Sequence, residues 1–77
     1  MARIKLRVYA RLREQLGFKE KELDVGDLVE LLKYLESLGS GDFIIAVNSE
    51  LVETSKASRY LFRDGDVVDV MPPFSGG

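Results

Sequence analysis

Few residues in this chain could do chemistry. Its 77 residues include no His and no Cys. That removes the commonest general base and metal ligand, every Ser/His/Asp or Cys/His arrangement, and any disulfide or thiolate metal site. The 13 Asp and Glu residues are scattered, mostly over turns and outer strand positions. Asp64 and Asp66 flank Gly65, a spacing that suits a weak cation loop and, more simply, an ordinary tight turn. Gly39-Ser40-Gly41 lacks the Lys and the spacing of a phosphate-binding loop. The chain is therefore not expected to be catalytic on its own.

What remains is the carboxylate at Gly77, at the end of Met71-Pro72-Pro73-Phe74-Ser75-Gly76-Gly77. Glycine has no Cβ, so a Gly-Gly ending lets backbone come close to the reactive groups of another protein. The two prolines cannot continue a helix or donate to a strand ladder, which predicts that the ordered domain spans residues 1–71 and that residues 72–77 form a flexible tail. At ~3.3 Å per residue that tail could reach about 20 Å. A bare carboxylate is a poor acyl donor. Joined to AMP it becomes a good one, open to a sulfur or nitrogen nucleophile. The ending alone fits this device and an ordinary frayed terminus equally well.

The elements that would hold such a tail can be read from periodicity. Ile4, Leu6, Val8 and Ala10 alternate with Lys5, Arg7 and Tyr9, a period-two strand with one buried face. Arg11 to Gly17 reads as a turn or short helical turn closed by Gly17. Phe18 to Val25 is a polar edge strand with Leu23 and Val25 pointing inward, and its Lys19-Glu20-Lys21-Glu22 run discourages edge pairing. Asp27, with Glu30 three residues on, caps a helix. Leu28, Leu31, Leu32, Leu35 and Leu38 form one stripe along it, and Gly39 stops it. That stripe is expected to be core rather than a partner-binding face, because the strands need a cover. Phe43 to Val47 is a buried strand, Asn48-Ser49 a turn, and Glu50 to Val52 a short return strand. A polar crossover over 53–59 follows, then Tyr60-Leu61-Phe62 packing on the core, a tight turn over 63–66, and a last strand over 67–71.

The predicted order, β-β-α-β-β-β, is an α+β architecture: a mixed sheet covered by one main helix. A β-grasp layout fits it. The first and last strands would lie parallel in mid-sheet, so that the tail leaves from the centre.

Composition bounds the rest. A chain of this length is one domain with one small core, and 45% hydrophobic residues can supply that core. No apolar run approaches a membrane span, and the N-terminus alternates charge where a signal peptide would be apolar; a soluble, cytoplasmic protein is expected. Net charge is −2, yet the basic residues Arg3, Lys5, Arg7, Arg11 and Arg13 cluster near the start. Such a cluster fits an anionic partner or, better here, a solvated strand face. Nucleic acid is disfavoured by the negative overall charge and the lack of interleaved aromatic residues.

Four segments carry a resemblance to a known family: Tyr9-Ala10-Arg11-Leu12-Arg13-Glu14, Ala46-Val47-Asn48, Asp64-Gly65-Asp66-Val67-Val68 and Pro72-Pro73-Phe74-Ser75-Gly76-Gly77. In these the chain resembles the MoaD group of ubiquitin-like sulfur carriers, the small subunit of molybdopterin synthase. The ending is the most specific piece. Ser49 departs from the pattern, since family members often carry Gly after the Val-Asn pair.

The resemblance implies a ubiquitin-like β-grasp fold. It implies that Gly77 is adenylated by a MoeB-type, E1-like enzyme, which uses the ATP; no cofactor is expected on this chain. Gly77 then becomes a thiocarboxylate. A MoaE-type large subunit, in a heterodimer or heterotetramer, accepts the tail, and sulfur passes to the pyranopterin precursor in molybdenum cofactor biosynthesis. Pro72, Pro73, Phe74, Ser75 and Gly76 match residues that lie along the partner, and Arg11 matches a basic residue near the contact surface. Relatives also act as protein modifiers joined to lysines through the same glycine, or donate sulfur for thiazole or tRNA thiolation.

Overall fold

The computed structural model describes residues 1–39, 43–53 and 60–73. Strand β1, Ala2–Val8, buries Ala2, Ile4, Leu6 and Val8 and turns Arg3, Lys5 and Arg7 to the other face. It stops short of the predicted Ala10 because Ala10 takes a left-handed backbone, φ 56°, which breaks the extended run. The next residues form helix α1, Leu12–Leu16, closed by Gly17 at φ 89°, a conformation that glycine adopts without steric penalty. Strand β2, Glu20–Val25, pairs antiparallel with β1 and begins two residues later than expected.

Helix α2, Leu28–Ser37, starts where the sequence predicts. The Asp27 side chain accepts the Glu30 N–H at 2.8 Å. Glu30 reaches back to the Gly26 N–H at 3.4 Å rather than to the cap itself, so the reciprocal bond of a capping box falls one residue early. Leu28, Leu31 and Leu35 are fully buried, while Leu32 and Leu38 lie half-buried at the edges of the stripe. Gly39 follows the helix, and its N–H returns to the Glu36 carbonyl at 3.0 Å.

Strand β3, Ile44–Val47, and strand β4, Glu50–Val52, form a hairpin, and strand β5, Val67–Met71, completes the sheet. The sheet order is β2-β1-β5-β3-β4, with β1 and β5 parallel and β5 in the centre. The fold is thus the expected mixed sheet of β-grasp type, with α2 on one face. The core lies between them, built from Ile4, Leu6, Val8, Ile45, Val68 and Val70 of the sheet and Leu28, Leu31 and Leu35 of α2.

Tyr60-Leu61-Phe62 packs only in part. Phe62 is buried and Tyr60 half-buried, their rings 5.5 Å apart in an edge-to-face arrangement, but Leu61 is 73% exposed. The segment runs extended beside the start of α2: Leu28 N–H donates to the Tyr60 carbonyl and Phe62 N–H to that of Gly26. Alternation then sends Leu61 outward. The predicted crossover lies largely outside the described residues.

Candidate functional site

Strand β5 is held on both sides. Lys5 to Val8 pair with Val67 to Val70 in parallel, and Ile44 to Val47 pair antiparallel with Met71 to Val68. One rung beyond β1, the Tyr9 N–H donates to the Val70 carbonyl at 3.1 Å. Its alternate residues Val68 and Val70 are fully buried beneath α2. Pro72 and Pro73 follow, both half-buried. Neither has an N–H to extend a ladder. The chain therefore leaves the sheet from its middle strand, between the end of β1 and the start of β3. Phe74, Ser75, Gly76 and Gly77 lie outside the described residues.

Basic residues gather around this exit. Arg11 stands exposed as the N-cap of α1. Its guanidinium has no hydrogen bond or ion pair among the described residues. Arg13 donates from Nε to the Val8 carbonyl at 2.8 Å and lies over the Tyr9 ring, 5.9 Å from its centroid. The predicted partner residues Arg11, Pro72 and Pro73 therefore sit on the elements that meet at one end of the sheet. The other predicted tail residues fall outside what is described.

The opposite end of the sheet is acidic and structural. The Arg3 N–H donates to Asp64, and its guanidinium binds Asp24 and approaches Glu22. The Asp24 hydrogen bond and charge, then Glu22, push the Arg3 pKa further up. Asp66 accepts from the Arg63 N–H and the Asn48 amide. Asp64 and Asp66 thus serve the turn, and no cluster of three or more His, Cys, Asp or Glu residues suited to a metal occurs among the described residues. Arg3 and Arg7 are ion-paired within the sheet. This accounts for part of the basic cluster as a strand face.

Sequence reasoning missed one feature. Asp69 lies on the outward face of β5 yet is a buried charged side chain, 9% exposed. It accepts from Arg7 Nε at 2.8 Å and Nη2 at 3.4 Å, and from the Tyr9 hydroxyl at 3.2 Å. The Asp69 hydrogen bond, with its charge, holds Arg7 protonated even above its usual range. The signal was available: Arg7 and Asp69 share outward parity on two strands predicted to be parallel neighbours.

Comparisons with known proteins agree with this geometry. The model of the ThiS family matches residues 6–77. No curated protein sequence matches the chain. Among solved structures, the small archaeal modifier protein 1 (SAMP1) from Methanosarcina acetivorans is 25% identical, with a TM-score of 0.78, over 100% of this chain and 98% of that one. A candidate molybdopterin converting factor subunit 1 from Pyrococcus furiosus is 26% identical, with a TM-score of 0.78, over 95% and 99%. The complex of subunits 1 and 2 of the molybdopterin-converting factor from Helicobacter pylori gives 24% identity and a TM-score of 0.72 over 97% and 99%, a likeness of fold. The chain has the ubiquitin-like fold of these sulfur carriers and modifiers. No helix among the described residues is long and apolar enough to cross a membrane.

Proposed function

The chain belongs to the ThiS family, and from that premise we propose that it is a sulfur carrier in molybdenum cofactor biosynthesis, the small subunit of a molybdopterin synthase. The observation that carries the reading is the exit of Pro72 and Pro73 from the central strand β5, four residues before the terminal Gly77. The match of the family model up to Gly77 supports it.

The chemistry follows from the carboxylate. A Gly77 oxygen attacks the α-phosphorus of ATP held by a MoeB-type, E1-like enzyme, and pyrophosphate leaves. A sulfur nucleophile then attacks the acyl carbon and AMP leaves: hydrosulfide gives the thiocarboxylate directly, whereas a donor persulfide gives an acyl disulfide, whose S–S bond a second thiol reduces, freeing the thiocarboxylate and leaving a disulfide on the donor. In a MoaE-type large subunit that sulfur passes to the pyranopterin precursor. This chain supplies the acyl group and its placement. Phe74 and Ser75 line the partner channel, Gly76 gives clearance, and Arg11 with Pro72 and Pro73 contacts the partner's surface. The ATP belongs to the activating enzyme.

The likeness to SAMP1 over the whole chain favours a second use of the same adenylate, in which a lysine amine takes the acyl group and forms an isopeptide. Transfer of the sulfur to thiazole or tRNA is the other alternative. ATP–pyrophosphate exchange with the activating enzyme tests the shared first step: the full chain supports exchange and the Gly77 deletion does not. Equal exchange by both would refute the role of Gly77. Pterin, lysine, thiazole and tRNA acceptors are then separated by reconstituting transfer with each.

A further inference from the structure

Strand β2 stands at one end of the sheet order, with β1 as its one strand partner among the described residues. The Val8 N–H donates to the Lys19 carbonyl at 2.8 Å, whereas the N–H groups of Lys5 and Tyr9 turn the other way, to the carbonyls of Asp66 and Val70. Bonding in an antiparallel ladder alternates along each strand. Lys19, Lys21 and Leu23 therefore bond inward to β1. Glu20, Glu22 and Asp24 hold their N–H and C=O groups toward the outer edge, where such groups form a template for a further strand.

The side chains of β2 sort their charges by face. Glu20, Glu22 and Asp24 are exposed on the face away from α2, and β1 sets Arg7, Lys5 and Arg3 opposite them in register. Arg3 bonds Asp24 at 3.2 Å and lies 3.5 Å from Glu22, while Arg7 is taken up by Asp69. Glu20 makes no hydrogen bond or ion pair among the described residues. Lys21 and Leu23 turn to the α2 face. There the Lys21 ammonium donates to the Tyr34 hydroxyl at 3.1 Å and lies 4.9 Å from the centroid of the Phe18 ring. The lysine is thus held on its own face by two aromatic residues.

This sorting decides which strand the edge admits. A second copy of β2 laid antiparallel keeps like faces together. It sets Glu22 against Glu22 or Lys21 against Lys21, with acid facing acid beside them, and like charges directly opposite one another are destabilising. A strand patterned like β1 does the reverse, since its bases stand opposite the same three acids. We propose that the outer edge of β2 is a docking site for an extended segment of another protein, with Arg or Lys opposite Glu20, Glu22 and Asp24 and acidic or apolar residues opposite Lys19, Lys21 and Leu23. Backbone hydrogen bonds attach the added strand, and the alternation of charge fixes its register. The inference is independent of the sulfur-carrier reading.

The full chain, isotope-labelled, is titrated with the capped hexapeptide Arg-Val-Lys-Glu-Arg-Glu and separately with Glu-Val-Glu-Lys-Glu-Lys, which inverts the charge on both faces. The first is expected to slow amide exchange at Glu20, Glu22 and Asp24 and to lose affinity as salt rises. It is expected to bind about tenfold or more tightly than the second. Glu20→Lys/Glu22→Lys, at two exposed positions, is expected to reverse that preference. Equal affinity for the two peptides, binding that leaves those three amides unprotected, or no binding of either at millimolar concentration overturns the proposal. So does a preference that the double variant leaves unchanged, or protection of the same amides by self-pairing of the chain without peptide.

Discussion

The Tyr9 N–H donates to the Val70 carbonyl at 3.1 Å, one rung past the end of β1. That bond ties the last strand to the first almost up to the point where Pro72 begins. Neither Pro72 nor Pro73 has an N–H to carry the ladder further, so removing Gly76 and Gly77 is expected to leave the β1–β5 pairing intact. Melting of the truncated chain should stay within about 1 °C of the full chain. A drop of many degrees would place the tail within the packed domain.

Leu35 lies fully buried in the middle of α2, facing the sheet. Leu35→Ala should cost about 2–5 kcal/mol in denaturant unfolding, from the lost transfer energy and the cavity left behind. A loss under about 1 kcal/mol would contradict the assignment of the leucine stripe to the core.

Ser49 holds φ at 72° and Asn48 at 51° in the two-residue turn between β3 and β4. Left-handed backbone at both positions is the hairpin turn that favours Asn followed by Gly. Asn48 is also fixed by its side chain, which accepts the Val67 N–H at 2.9 Å and donates to Asp66. Ser49 has no such role, so Ser49→Gly should raise stability by about 0.5–1 kcal/mol, read as a higher denaturation midpoint. A lower midpoint would show that glycine's entropy cost outweighs the relieved strain.

Tyr60 has its pKa pushed up, first by burial and then by the charges of Asp66 and Glu50. Its folded value thus lies above its unfolded value of about 10. Below the unfolded value the phenol is neutral in both states and its contribution is fully present. As pH rises through the folded value, the unfolded chain loses the proton more readily and stability falls. Between about pH 9 and 11 the wild type should lose more stability than Tyr60→Phe. Equal losses would mean that Tyr60 does not contribute to the alkaline limb.

Much of the fold was legible because its signals are local. The leucine spacing of α2, its Asp27 cap and the alternation of β1 each reflect one dominant physical preference. The parallel placement of β1 and β5 came from the order of elements. What escaped detection depended on contacts distant in sequence or on single backbone angles. Ala10 ends β1 through a left-handed φ that no composition rule marks for alanine. Leu61 turns outward because its neighbours pair with Gly26 and Leu28, far upstream. At the candidate site, the prolines that end the last strand were legible by residue type, and Arg11 was named from the family resemblance alone. Asp69 was passed over because an outward-parity carboxylate looks solvated until Arg7 and Tyr9, about 60 residues earlier in the chain, are seen to cover it.

The most direct test of the sulfur-carrier reading is the intact mass of the chain after incubation with its activating enzyme, ATP and a sulfur donor. The expected result is a mass gain equal to one sulfur replacing one oxygen, located at Gly77 by fragmentation and missing when ATP is withheld. An unchanged mass, with an activating enzyme shown to be competent on another carrier, would contradict it.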